Sequence, residues 1–276
     1  MFVSNAFLRP GFATIALALG LCAQPVIAAD TSAWDGDSRT AMRLLGTTSN
    51  RAGVELKLAP GWKTYWRYPG DAGVPPQFDF SGSDNLKSAQ VAWPVPLRFS
   101  DAEGNTIGYK GAVVFPLKIE AKDAAQPIVL RLTIDYAICE KLCVPVQAKS
   151  ELQLGGGSGT SEAAITEAEK RVPETQPLAA KAPLSISSAT RQPGSPARVI
   201  VEVAAPTDAK VELFAEGPTP DWALPLPTPV DGAKAGHQRF EFALDGLPPG
   251  AKPDGAELKL TAAAGGHAIE TTFRLD

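Results

Sequence analysis

The sequence predicts an all-β protein, an immunoglobulin-like antiparallel β-sandwich followed by a second, smaller β-sandwich. Three observations point there. Strand-like runs recur with turn residues between them about every 8 to 12 residues, the spacing of a sandwich. In most runs the apolar residues alternate with period two, as in a strand with one face on a core. The 25 glycines and 25 prolines among 276 residues suit many turns better than long helices. With 44% apolar and 20% charged residues the composition is globular, and the length allows two domains.

The elements follow in order. Arg9 precedes an apolar run over 12–23, and Val26-Ile27-Ala28 ends in the small residue a signal peptidase needs. Residues 1–28 are therefore expected to be a signal peptide, and the mature chain to be exported, soluble and monomeric. The run is short for a bilayer span, and no later stretch reaches the roughly 20 apolar residues required. Cys22 raises lipidation as an alternative, though the bulky Leu21 precedes it where such signals carry a small residue. Strands are expected over 42–48 and 54–59, the latter alternating cleanly at Val54, Leu56 and Leu58. Pro60-Gly61 turns the chain into W-K-T-Y-W-R-Y, with Trp62, Thr64 and Trp66 on one face and Tyr65 on the other. That stretch reads either as an ordinary strand or as an aromatic rim for a partner. A short strand at 77–80 follows, then W-P-V-P-L-R-F, whose prolines exclude a regular central strand. Another strand, V-V-F-P-L-K-I-E, leads to the cysteine hairpin.

Residues 129–154 carry the chemistry. In the first run Leu130, Leu132, Ile134, Tyr136 and Ile138 share a face; in the second, Val144, Val146, Ala148, Leu152 and Leu154 do. Cys139 and Cys143 fall on the opposite, polar faces. A hairpin closing over Glu140-Lys141-Leu142 sets the two sulfurs side by side, able to bond and both reachable by water or a partner. A bridge over three residues removes little entropy from the unfolded chain, so it is a poor staple. Lys141 favours a thiolate and Glu140 opposes it, which leaves the sign of any thiol shift open.

Gly155-Gly156-Gly157-Ser158-Gly159 reads as a flexible break, and 161–172 as a short helix capped by Ser161 and stopped by Pro173. The expected organisation is a sandwich over 29–155, a linker over 156–182 and a second sandwich over 183–276. Strands in the latter are expected at 184–188, 198–204, 210–215, 238–244, 257–262 and 268–275. The two histidines, His237 and His267, read as strand-end residues, and Trp222 as the anchor of a loop.

Several function classes fall away. A net charge of -4 without a basic cluster argues against nucleic acid. No Ser/His/Asp or paired-carboxylate set suggests a hydrolase. The residues alone leave open an exported binding module with a structural disulfide, or a Cu(I) site on two thiolates, although the chain has two Met and no His near the pair. No cofactor or resident metal is expected.

Four motifs in order, G-W-K-T-Y-W-R-Y-P-G, W-P-V-P-L-R-F, G-Y-K-G-A-V-V-F-P-L and Y-A-I-C-E-K-L-C-V-P, resemble the N-terminal periplasmic domain of the DsbD family of thiol:disulfide interchange proteins. The resemblance covers about residues 35–154. It implies an immunoglobulin-like fold and a periplasmic redox relay. Electrons would come from a thioredoxin-like or membrane-embedded thiol reductase and pass to a disulfide isomerase or a cytochrome-maturation oxidoreductase. It makes Cys139 and Cys143 the exchanging pair, Cys143 the attacking sulfur, and Phe99 the ring that shields them. Leu97 and Arg98 stand where the best-known members carry acidic residues, and the spacing between the cysteines is shorter. Neither a transmembrane hub nor a C-X-X-C domain follows in this sequence, so the resemblance implies the soluble arm with a separate reductant.

Overall fold

The computed structural model describes Met1 and residues 29–47, 51–70, 72–101, 104–155 and 159–276. The signal segment with Cys22, and Gly156, Gly157 and Ser158 of the glycine-rich break, lie outside the described residues. The first half holds strands β1 (Asp35–Gly36), β2 (Thr40–Gly46), β3 (Ala52–Leu58), β4 (Lys63–Gly70), β5 (Gln77–Asp79), β6 (Leu86–Val91), β7 (Leu97–Asp101), β8 (Gly104–Lys110), β9 (Ala112–Ala121), β10 (Val129–Cys139) and β11 (Cys143–Gln153). They form two sheets, ordered β1-β2-β3-β9-β6 and β11-β10-β4-β8-β7, with β5 also paired to β10.

The alternation read from the sequence is the alternation of burial. Met42, Leu44, Val54, Leu56, Val113 and Phe115 of one sheet face Leu130, Leu132, Ile134, Tyr136 and Ile138 of the other, all almost fully buried. Each such side chain contributes about 1.5–3 kcal/mol by leaving water. Tyr136 brings a hydroxyl into this core and satisfies it on Thr40 Oγ1 at 2.9 Å. The W-P-V-P segment carries the chain from β6 in one sheet to β7 in the other, and β7 lies at the edge of its sheet, where a proline-bearing approach is tolerated.

Helix α1 (Glu162–Glu169) buries Ile165 and Ala168 against β9 and its neighbour β3. Arg51 reaches across to Glu162, Glu169 and Thr166 of α1. Ser161 precedes the helix but does not cap it with its side chain. Its hydroxyl donates to Asp30 O instead, at 3.0 Å, and Asp30 Oδ2 accepts from Thr160 N at 2.6 Å. The capping expectation fails because the N-terminal segment offers Ser161 a buried carbonyl to satisfy.

The second half holds β12 (Glu174–Thr175), β13 (Ser185–Gln192), β14 (Arg198–Ala204), β15 (Glu212–Glu216), β16 (Thr228–Val230), β17 (His237–Ala243), β18 (Glu257–Ala264) and β19 (His267–Arg274). They build two four-stranded sheets, β12-β19-β18-β15 and β13-β14-β17-β16. The six strands expected from the sequence are present. The two missed, β12 and β16, have two and three residues and no alternation to read. His237 and His267 each begin a strand.

The sandwiches are not beads on a string. Arg67 donates to both carboxylate oxygens of Glu216, at 2.8 and 2.6 Å, and to Glu270. The Tyr68 hydroxyl donates to Trp222 O and accepts from Leu224 N. Arg98 donates to Leu213 O and Pro227 O at 3.0 and 3.1 Å. Trp66 and Phe214 rings meet at 5.7 Å between centroids. Trp222 is buried, and its backbone carbonyl accepts the bond from Tyr68 of the other sandwich. Trp66 and Tyr68 of the aromatic stretch are buried, so they are no outward rim.

Candidate redox site

The β10–β11 ladder runs in unbroken register from Val129↔Gln153 to Cys139↔Cys143, so the hairpin sets the cysteines directly opposite at its tip. The two are disulfide-bonded, with Cα atoms 4.2 Å apart. Their environments differ sharply. Cys139 is 2% exposed, whereas Cys143 is exposed, as are Glu140, Lys141 and Leu142 between them. The expectation that water reaches both sulfurs is therefore corrected for Cys139. Period-two alternation names the face a side chain takes; it does not say whether a neighbouring strand roofs that face.

The roof comes from β4. That strand meets β10 at Ile138↔Thr64 and Cys139↔Lys63, and Thr64 Oγ1 donates to Ala137 O at 2.8 Å. Tyr65, the next residue, emerges on the outer face of the sheet beside Ala137 and Cys139, and the three form a small buried cluster. Its hydroxyl lies 2.7 Å from Cys139 Sγ and 3.2 Å from Cys143 Sγ. Disulfide sulfurs carry no hydrogen, so the phenol is the donor to both. Above the ring runs the backbone of Gly73, whose φ is +131° and where a Cβ would fall 2.4 Å from the ring carbons. Only glycine fits there. The sequence placed Tyr65 opposite Trp66 in its strand but offered no sign that it meets the cysteines.

The other residues singled out in the sequence stand nearby. Glu140 folds over the turn before β4, where its Oε1 would lie 2.8 Å from a Cβ on Gly61. Phe99 is half-buried on β7, which β4 and β8 separate from β10. Lys63 lies between, its Nζ 5.7 Å from the Phe99 ring centre and 3.2 Å from Thr106 Oγ1. Phe99 thus lines a cleft of about 630 Å³ with Trp62, Lys63, Lys110 and the Pro60-Gly61 turn. The ring whose polar end meets the sulfurs is Tyr65. Three of the exposed large apolar residues, Val74, Leu97 and Leu142, belong to the loop, strand and hairpin around this site. Among the described residues, no group of three or more His, Cys, Asp and Glu gathers to hold a metal, and no helix is long and apolar enough to cross a membrane.

A family model described as the N-terminal domain of the thiol:disulfide interchange protein DsbD matches residues 35–155. No curated protein sequence matches. Among solved structures, the N-terminal periplasmic domain of ScsB from Proteus mirabilis is similar, with a TM-score of 0.71 and 20% identity, covering 90% of this chain and 99% of that one. At that identity the likeness is one of fold, and its coverage takes in the second sandwich. Residues 35–155 are thus similar to the N-terminal domain of the thiol:disulfide interchange protein DsbD.

Proposed function

We propose that this chain is a periplasmic relay for thiol-disulfide exchange. It takes electrons from a thioredoxin-like or membrane-embedded thiol reductase and hands them to a disulfide isomerase or a cytochrome-maturation oxidoreductase. The observation that carries this reading is the asymmetry of the pair: one sulfur open to a partner, the other buried under a hydrogen-bond donor.

In the receiving direction, a donor thiolate attacks the exposed Cys143 Sγ in line with the S–S bond. A new bond joins the donor sulfur to Cys143, the Cys139–Cys143 bond breaks, and its electron pair leaves on Cys139 Sγ. Tyr65 then donates to a thiolate instead of a neutral sulfur, a stronger hydrogen bond that stabilises the leaving group. The donor's second thiolate displaces Cys143, so the donor is oxidised to a disulfide and this protein is reduced. In the giving direction the Cys143 thiolate attacks the acceptor's disulfide. Cys139 then attacks Cys143 Sγ, restoring the internal bond and releasing the acceptor as a dithiol.

A structural role for the disulfide is disfavoured because the closed loop is so short. Redox titration of the folded protein separates the two. A relay equilibrates reversibly with a dithiol buffer while the fold persists. Reduction that occurs only on unfolding would make the bond structural and the relay untenable.

A further inference from the structure

We propose that the second sandwich positions Tyr65 on the disulfide, with Arg67 as the positioning residue that transmits its hold. The proposal rests on the exchange role given above to Tyr65 and names what keeps that residue in place.

Strand β4 pairs regularly with its own sheet up to Tyr65, and irregularly beyond it. Before Tyr65, the strand pairs with both neighbours: Lys63 and Thr64 with Cys139 and Ile138 of β10, and Lys63, Thr64 and Tyr65 with Lys110, Tyr109 and Gly108 of β8. Beyond it the register breaks and resumes at Gly70↔Thr106, so that Trp66, Arg67, Tyr68 and Pro69 stand against the single β8 residue Ile107. A segment out of ladder register lacks the regular pairing that fixes strand position. The second sandwich supplies the replacements. Arg67 takes two carboxylates, Glu216 from β15 and Glu270 from β19, and the Tyr68 hydroxyl takes two backbone groups, at Trp222 and Leu224. The Trp66 ring packs on Phe214.

The chemistry of that hold is directional. The Arg67 side chain is 22% exposed and its partners 13% and 16%. Burial pulls its pKa down, yet the hydrogen bonds and charges of Glu216 and Glu270 outweigh this and raise it, so Arg67 stays charged. Buried ion pairs are weak sources of stability but strict ones of geometry, because a displaced charge is left without a partner. Arg67 is two residues from Tyr65 on the same strand. A shift of the anchored segment therefore moves the phenol relative to sulfurs 2.7 and 3.2 Å away, and a hydrogen bond weakens steeply with such displacement.

The test uses the full chain and two readouts: the rate at which glutathione reduces the disulfide, and the pH midpoint of Cys139 alkylation in the reduced Cys143→Ala variant. Tyr65→Phe sets the reference. Loss of its donor is expected to slow reduction by roughly tenfold and to raise the alkylation midpoint, since a hydrogen bond to a thiolate holds its pKa down. Tyr68→Phe, and separately the neutral triple variant Arg67→Met, Glu216→Gln, Glu270→Gln, are expected to move both readouts in the same direction by about threefold. Adding either change to Tyr65→Phe should move them no further, because all act through one hydroxyl. Should the triple variant fail to fold, Tyr68→Phe carries the test. Folded Tyr68→Phe protein with wild-type readouts beside an affected Tyr65→Phe overturns the positioning role and leaves the relay intact. Effects that add to those of Tyr65→Phe overturn it too. Wild-type readouts in Tyr65→Phe itself remove the role of the phenol, and the positioning role with it, while the redox titration decides the relay independently.

Discussion

At the scale of single residues, the difference between Cys139 and Cys143 organises the chemistry. A thiolate from another protein can approach Cys143, whereas Cys139 is enclosed by Tyr65 and Ala137. Cys139→Ala is therefore expected to accumulate mixed disulfides through Cys143, and Cys143→Ala to form none; non-reducing gels of cells expressing each variant read the outcome. Equal trapping by both would remove the division of roles. Phe99 poses a separate question. Its ring lies beyond Lys63 and lines the cleft beside the site, so Phe99→Ala is expected to leave reduction by glutathione within about twofold of wild type. Being half-buried, it should also cost less than the ~3–5 kcal/mol of a core phenylalanine. A large acceleration without loss of melting temperature would make it the lid the family resemblance implies. Arg98, where the best-known relatives carry acid, instead reaches carbonyls of the second sandwich.

At the scale of elements, α1 is a short helix that packs instead of merely connecting. It stands in what reads as a linker, yet Ile165 is fully buried on the first sandwich and Arg51 pairs with Glu162 and Glu169 at its two ends. Ile165→Ala should cost about 2–5 kcal/mol, measured by denaturant unfolding. Arg51→Ala should cost far less, since its ion pairs are partly solvated. The turn between β1 and β2 makes a pH-dependent contribution. Asp37 accepts from the Arg39 side chain and from the Arg39 and Thr40 amides, which hold its pKa down to about 2. A depressed carboxylate pKa stabilises the fold above the unfolded value near 4, and that contribution disappears as pH falls through about 2. NMR titration should place the Asp37 midpoint there, and Arg39→Ala should move it upward.

At the scale of the whole molecule, the sandwiches share a boundary dense in specific contacts, so separating them should be felt. A chain ending at residue 155 loses α1 along with the partners of Trp66, Arg67 and Tyr68. It is expected to melt below the full chain and to show red-shifted tryptophan fluorescence as Trp66, fully buried in the intact protein, meets water. An unshifted spectrum with an unchanged melting temperature would show that the first sandwich is self-sufficient.

The hairpin, its register and the pairing of Cys139 with Cys143 were legible in the sequence, because period two and a three-residue closure are local properties of one stretch. So were the two successive sandwiches. What each sulfur faces was not legible. Tyr65 lies 74 residues before Cys139, and the anchors of its strand lie at Glu216 and Glu270, 149 and 203 residues after Arg67. Burial and hydrogen bonding at the site depend on which distant strands become neighbours. That is set by the packing of whole sheets, so only the tertiary structure could decide which cysteine is open, which is covered, and what holds the cover.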